Sequence, residues 1–270
     1  MIRLITSFFL FVSFLIACSR NPITGRSQFK LLPESEVQSM AVTEYQKFLT
    51  TNRIVPSGNN RDAEMVKRVG QRITRAVTDY YASQGQSAKL AGYNWEYNLV
   101  DSKEANAWCM PGGKIVVYTG LLPITQNEAA LAVVMGHEVS HAIFQHGNER
   151  MSQGLLASVG DVALSVALAN KPQETQNLFR SAYGVGAQVG VLLPFSRSHE
   201  YEADHWGLNW AAMAGYDPRE AIPLWQRMEN AAKGQKAPEF ISTHPSEGNR
   251  IEQLQKFMPE ALRYYKPINN

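Results

Sequence analysis

Cysteine is nearly absent: only Cys18 and Cys109 occur among 270 residues, which excludes a disulfide framework as the source of stability. A surplus of either charge is missing too. Twenty-six Lys and Arg stand against 24 Asp and Glu, so no basic surplus argues for nucleic acid, and no nucleic-acid partner is expected. The apolar run Leu4 to Ile16 falls short of the roughly 20 residues that span a bilayer. No repeat with a period of 20–50 residues is visible, which excludes a solenoid. What remains is 44% hydrophobic and 19% charged residues, a balance suited to one sizeable globular core.

The most informative segment is Gly136-His137-Glu138-Val139-Ser140-His141. Positions i and i+4 share a helix face, so His137 and His141 can present both imidazoles to one Zn²⁺. Glu138 flanks that position, where it can act as general base toward a metal-activated water. The flanks Glu128 to Met135 and Ala142 to Gln145 are strong helix formers without proline, so the motif has the helical context it needs. An otherwise apolar helix does not bury two His and a Glu without a partner or a metal.

A catalytic zinc needs a third protein ligand and an open position. Ser196 to Gly207 supplies Glu200 and Asp204, again i and i+4 on a predicted helix that runs on through Ala212. Glu200 completes a His₂Glu set, and Asp204 can accept the free ring N–H of a ligand histidine and fix its tautomer. Glu202 points about 200° away from Glu200 and is the wrong glutamate for the metal, so Glu202→Ala is expected to be silent. His146 lies on another face as a surface or supporting group, and His199 and His205 are read as structural.

These residues resemble the M48 group of zinc metallopeptidases, which includes prenyl-protein proteases and bacterial envelope quality-control proteases. The resemblance rests on His137 to His141, on Ser196-Arg197 with Glu200, Ala203 and Asp204, on Asn106 to Leu121, and on Thr243-His244-Pro245 with Arg250-Ile251. It implies an α+β, predominantly helical, zincin-like (gluzincin) domain over residues 31–270, with a small sheet beside the active-site helix. It also implies a zinc endopeptidase with protein or peptide substrates, unfolded envelope proteins among them. The segment with Asn106, Gly113, Ile115 and Val117 looks like the family's edge strand beside the cleft, where a peptide could add as a further strand. His244, Arg197 and Arg250 remain alternatives for stabilising the oxyanion. The resemblance to envelope members equally allows His244 to occupy the open zinc position as a latency switch. A helical-repeat adaptor domain found in some relatives is not expected. A chaperone-like lipoprotein that binds unfolded chains at the same cleft is the alternative, and it would not need Glu138.

The amino terminus carries Arg3, the apolar run, and Leu15-Ile16-Ala17-Cys18, which reads as a lipoprotein processing box. Residues 1–17 are then a signal peptide, Cys18 is lipidated, and 18–30 is a linker with the turn-rich Asn21 to Arg26. Ser19 after the cysteine points to a bacterial outer-membrane location, facing the periplasm, with the lipid as membrane contact. Cys109 is left as a small buried hydrophobe.

Helices are predicted over Glu34 to Leu49, with a cap at Ser35, over Asp62 to Ala82, capped by Asn60, and over Arg219 to Ala232. Strands are predicted at Trp95 to Val100 and Lys114 to Tyr118, with Pro111-Gly112-Gly113 as a turn. The apolar stretches Gly154 to Asn170 and Ala182 to Pro194 are read as a helical pair over the cleft, and Gly234 to Phe240 as a mobile loop.

Overall fold

The computed structural model describes residues 18–159, 172–183, 196–233, 238–244 and 249–268. The leader therefore lies outside the described residues, as do most of both apolar stretches. Among the described residues, no helix is long and apolar enough to cross a membrane.

Two short strands, β1 (Cys18–Arg20) and β2 (Ser27–Phe29), pair antiparallel around a turn closed by Gly25 at φ 72°. This segment is no free linker. Gln28 is buried and donates to Phe144 O and, at 3.0 Å, to Glu149 Oε1, while Leu31 N donates to Ser152 Oγ at 2.8 Å. Then follow α1 (Glu34–Thr51), β3 (Ile54–Val55) and α2 (Arg61–Ser83). Asn60 caps α2 as expected, its side chain accepting from Asp62 N and Ala63 N. Ser35 does not cap α1. Pro33 holds that position, and its fixed φ starts the helix without a side-chain bond.

The central sheet contains β3, β4 (Glu96–Val100), β5 (Ala107–Met110) and β6 (Lys114–Tyr118) in the order β3-β4-β6-β5. After β4 the chain passes to the far edge as β5 and returns as β6 between the two, so β4 and β6 run parallel while β5 and β6 form an antiparallel hairpin. Gly112 and Gly113 close it at φ 78° and 86°, conformations that favour glycine. Every residue of β5 and β6 is buried, because apolar clusters cover both faces. Ala107, Cys109, Ile115 and Val117 pack toward α2 and the motif helix; Trp108, Met110, Val116 and Tyr118 pack toward α1 and two later helices.

After the short α3 (Leu122–Thr125) comes α4 (Glu128–Ile143), capped by Asn127 and buried from Ala130 to Ile143. It is the core helix, apolar all round except at the motif. The helix does not run on through Gln145. Gln145 takes the left-handed conformation at φ 58°, and α5 (His146–Val159) starts in a new direction. Helices α6 (Pro172–Tyr183), α7 (Arg197–Met213), α8 (Ala221–Ala232), α9 (Glu239–Thr243) and α10 (Arg250–Tyr264) complete the described fold. Helix α7 lies along α4, and the two touch backbone to backbone where Gly136 meets Gly207: a Cβ on Gly207 would lie 2.8 Å from His137 N.

Candidate metal centre

The close approach at Gly136 and Gly207 sets the site, because each helix carries its ligands within about two turns of that contact. From α4, His137 Nε2 and His141 Nε2 lie 3.0 Å apart. From α7, Glu200 brings Oε2 to 3.5 Å from His137 Nε2 and Oε1 to 3.4 Å from His141 Nε2. All three side chains are buried. His244, just after α9, adds its Nδ1 at 2.9 Å from Glu200 Oε1 and 3.2 Å from His137 Nε2. Donor atoms of His137, His141, Glu200 and His244 all fall within 4.8 Å of one another.

This donor set fits a zinc ion. Two imidazoles and a carboxylate are the ligands of many catalytic zinc sites, and Glu200 Oε2 is buried without a hydrogen bond, with His137 Nε2 at 3.5 Å and the Arg250 guanidinium at 3.2 Å. Burial alone would raise the Glu200 carboxyl, but His244, His141 and His137 outweigh it and hold it well below its ordinary value. Burial pushes His141 well below its own, toward the neutral imidazole that ligates metal. Asp204 Oδ1 lies 2.9 Å from His137 Nδ1, fixing the tautomer that leaves Nε2 for the metal.

Glu138 is buried beside these ligands, its Oε1 3.4 Å from His244 Nε2 and without a hydrogen bond. Burial pushes its carboxyl upward against the pull of His244 and His137. With Asn106, Ala107, Trp108, Cys109, Arg150, Tyr183 and His244, Glu138 and His141 line a pocket of about 30 Å³, space for a water or two and not for a peptide.

Arg250 is occupied: it donates to Asp204 Oδ1 at 2.6 Å and to His244 O at 3.1 Å, approaches Glu200 Oε2 at 3.2 Å, and lies over the Trp225 ring. These contacts brace Asp204, which holds His137, and the backbone of His244. Arg197 is exposed at the start of α7, on a separate groove with Tyr201 and His205. Asn106 lines the pocket. Ile115 and Val117 are on β6, an interior strand paired on both sides, and Gly113 is in the hairpin turn, so none of the three can accept a peptide strand; the outer strand is Ala107–Met110. Cys18 opens β1. The expected mobile loop is anchored at its end, since Phe240 is fully buried, donates its N–H to Ala105 O at 3.1 Å and stacks on His244.

Three residues matter more than the sequence suggested. His146, which starts α5 after the Gln145 turn, is fully buried with Nδ1 2.9 Å from His141 Nδ1. Glu202 is buried and accepts from His146 Nε2 at 2.7 Å and from Arg26 Nε at 2.6 Å, contacts that argue against a silent Glu202→Ala. Arg26 also donates to Glu149 Oε2 at 2.8 Å. His146, Glu149 and His199 bring donor atoms within 4.8 Å of one another, but the Arg26 guanidinium already neutralises that cluster. His199 stacks on His146, and His205 lies away from the site against Glu260 and Phe257.

A His-Glu-x-x-His helix closed by a glutamate from a second helix, with a sheet edge on the pocket wall, defines a zincin-type metallopeptidase centre. Residues 67–258 match peptidase family M48, and the chain belongs to that family. It is 32% identical over 259 residues to the mitochondrial metalloendopeptidase OMA1 of Bos taurus, covering 92% of this chain and 47% of that protein. It is 33% identical to the mitochondrial metalloendopeptidase OMA1 of Schizosaccharomyces pombe, over 89% of this chain and 66% of that one. A β-barrel assembly-enhancing protease of Yersinia pestis is 30% identical over 58% of this chain and 33% of its own length. The chain thus spans about half to two thirds of the length of the mitochondrial relatives. Those relatives overturn the expectation of a bacterial outer-membrane location: both match about nine tenths of the chain and are mitochondrial, whereas the expectation rested on Arg3, the apolar run and Leu15 to Ser19.

Proposed function

We propose that this chain is a zinc-dependent endopeptidase domain that cleaves extended segments of unfolded proteins. One observation carries the reading: His137, His141 and Glu200 bring their donor atoms together, and Glu138, with an oxygen that makes no hydrogen bond, joins His141 in a pocket whose wall is the outer strand β5. Bound zinc would supply Lewis-acid polarisation of the scissile carbonyl and of the attacking water. Glu138 takes the water's proton at Oε1 and returns it to the leaving amine; its raised affinity for a proton suits both steps. Ala107 to Met110 offers main-chain groups that hold a peptide by its backbone, so cleavage is governed more by extension than by side-chain identity. Quality control of unfolded proteins draws support from the Yersinia pestis relative named for β-barrel assembly. The chaperone alternative has no observation of its own, since binding alone has no use for a buried base at the metal.

A second reading concerns control of the same site. His244 Nδ1 stands among the ligand atoms and the pocket is too small for a peptide, which supports a latent state in which His244 fills the open zinc position. Digestion of casein should be abolished by a zinc chelator and restored by Zn²⁺. Cleavage that survives complete metal removal would refute the zinc-dependent reading. His244→Ala should raise that cleavage under latency, whereas a fall of about 10²–10³ in kcat would make His244 an oxyanion partner instead.

A further inference from the structure

The bonding around His141 has a direction. For His141 to offer Nε2 to a metal, its Nδ1 must carry the proton, so in the 2.9 Å contact His141 donates and His146 Nδ1 accepts. His146 then carries its own proton on Nε2, which is the atom 2.7 Å from Glu202 Oε2. Glu202 can only accept when ionised, and Arg26 Nε donates to that same oxygen at 2.6 Å. Each link requires the next, from the hairpin turn at Arg26 to the metal ligand.

The backbone builds this line. The left-handed Gln145 ends α4 and swings His146 back under His141, which an uninterrupted helix would not allow. Glu202, two residues beyond the ligand Glu200, reaches His146 from the opposite helix, so one stretch of α7 supplies both a ligand and a support for another ligand. His199 stacks on the His146 ring at 4.3 Å with planes 14° apart, and its Nε2 lies 3.4 Å from Glu149, which Arg26 also holds. The ring is thereby fixed in its plane as well as at both nitrogens. The two ligand histidines are supported differently: His137 by a carboxylate directly, His141 by a carboxylate acting through a second imidazole.

We infer that His146, oriented by Glu202 and Arg26, is the positioning residue that fixes the tautomer and ring orientation of the metal ligand His141. The inference rests on the zinc-site reading and assigns no contact with substrate. Supporting groups of this kind change metal affinity or activity by about 10–100-fold when removed.

The test compares two polar replacements of His146 in the full chain. Asn places its Oδ1 where Nδ1 stands and can still accept from His141; Gln places its amide toward Glu202 and leaves His141 without an acceptor. Zinc affinity is read by chelator competition, and the coordination sphere by the visible absorption of the Co²⁺-loaded protein. His146→Asn should stay within about threefold of the parent, whereas His146→Gln and Glu202→Leu should weaken zinc by about 10–100-fold and shift the cobalt bands. His205→Leu, on the same helix but off this line, should change neither. Equal zinc affinity and an unchanged cobalt spectrum in the parent, Asn and Gln proteins would overturn the inference while leaving the metal site intact. A parent chain that binds no zinc would overturn both. If Gln disrupts folding, seen as lost helical circular dichroism, Glu202→Gln decides. Its amide oxygen still accepts from His146, so near-parental affinity supports the tautomer role, and loss as great as in Glu202→Leu refutes it.

Discussion

Replacing Gly207 by alanine should damage the metal centre more than the fold. The new Cβ would sit 2.8 Å from His137 N and 3.0 Å from His137 Cα, against about 3.4 Å or more for ordinary contact. Both are backbone atoms, so no rotamer change relieves the clash. Helices α4 and α7 must part by about 0.6 Å at the contact. Overpacking of this kind costs about 1–3 kcal/mol, offset by about 1 kcal/mol from alanine's better helix propensity, so the net loss of stability is small. The ligands feel the shift directly, because His137 follows Gly136 and Glu200 is two turns from Gly207 on the helix that moves. Zinc sites tolerate about 0.2 Å in their ligand distances, so the displacement is several times too large for the His₂Glu set to close as before. Thermal melting of the zinc-free protein, chelator competition and casein cleavage separate the two effects. The expected result is a melting temperature lowered by a few degrees, with zinc affinity and cleavage down at least tenfold. Parental zinc affinity in a folded Gly207→Ala protein would refute the claim that this glycine contact sets the ligand geometry.

Arg250→Leu should destabilise the zinc-free protein by about 3–5 kcal/mol, because Asp204 would be left buried without its cation, and should destabilise the zinc-loaded protein less; equal losses measured by chemical denaturation with and without zinc would contradict this bracing role. Glu149 responds to pH. Burial would raise its carboxyl, but Arg26 and His199 outweigh it and lower it to about 2 from an ordinary 4.5. A depressed folded-state value means stability that is fully present above pH 4.5 and lost as pH falls toward 2, about 3 kcal/mol in all. Denaturation of the zinc-free protein between pH 5 and 3 should therefore be steeper in pH for the parent than for Arg26→Met, and identical slopes would sink the assignment. Peptide substrates N-methylated at the backbone position that pairs with Ala107 to Met110 should be cleaved more slowly than their parents, as a competition assay would show; equal rates would remove the strand-addition mode.

The metal ligands were legible because their spacing is a local property: His137 and His141, like Glu200 and Asp204, each share a helix face whatever the surrounding fold. The strand order was not. Lys114 to Tyr118 is the stronger strand signal, but its unbroken apolar run fits an interior strand covered on both faces, and the outer position went to the less regular Ala107 to Met110. His146 was hidden by a helix break at Gln145, where neither glycine nor proline announces the turn. Arg26 and Gln28 read as linker because their partners Glu149, Glu202 and Phe144 lie more than a hundred residues away, and no local pattern encodes such pairings. Gly136 and Gly207 did leave a signal: each is an isolated glycine inside a strongly helical segment, a mark of close helix approach.

Glu138→Gln removes the base and leaves every ligand in place, so it separates the chemistry from the metal binding. Zinc content and casein turnover should be measured on the same preparation, after His244→Ala if the parent proves latent. The expected result is one zinc per chain with turnover lowered by at least about 10². Undiminished turnover with zinc bound would contradict the account, since Glu138 would then have no part in the chemistry.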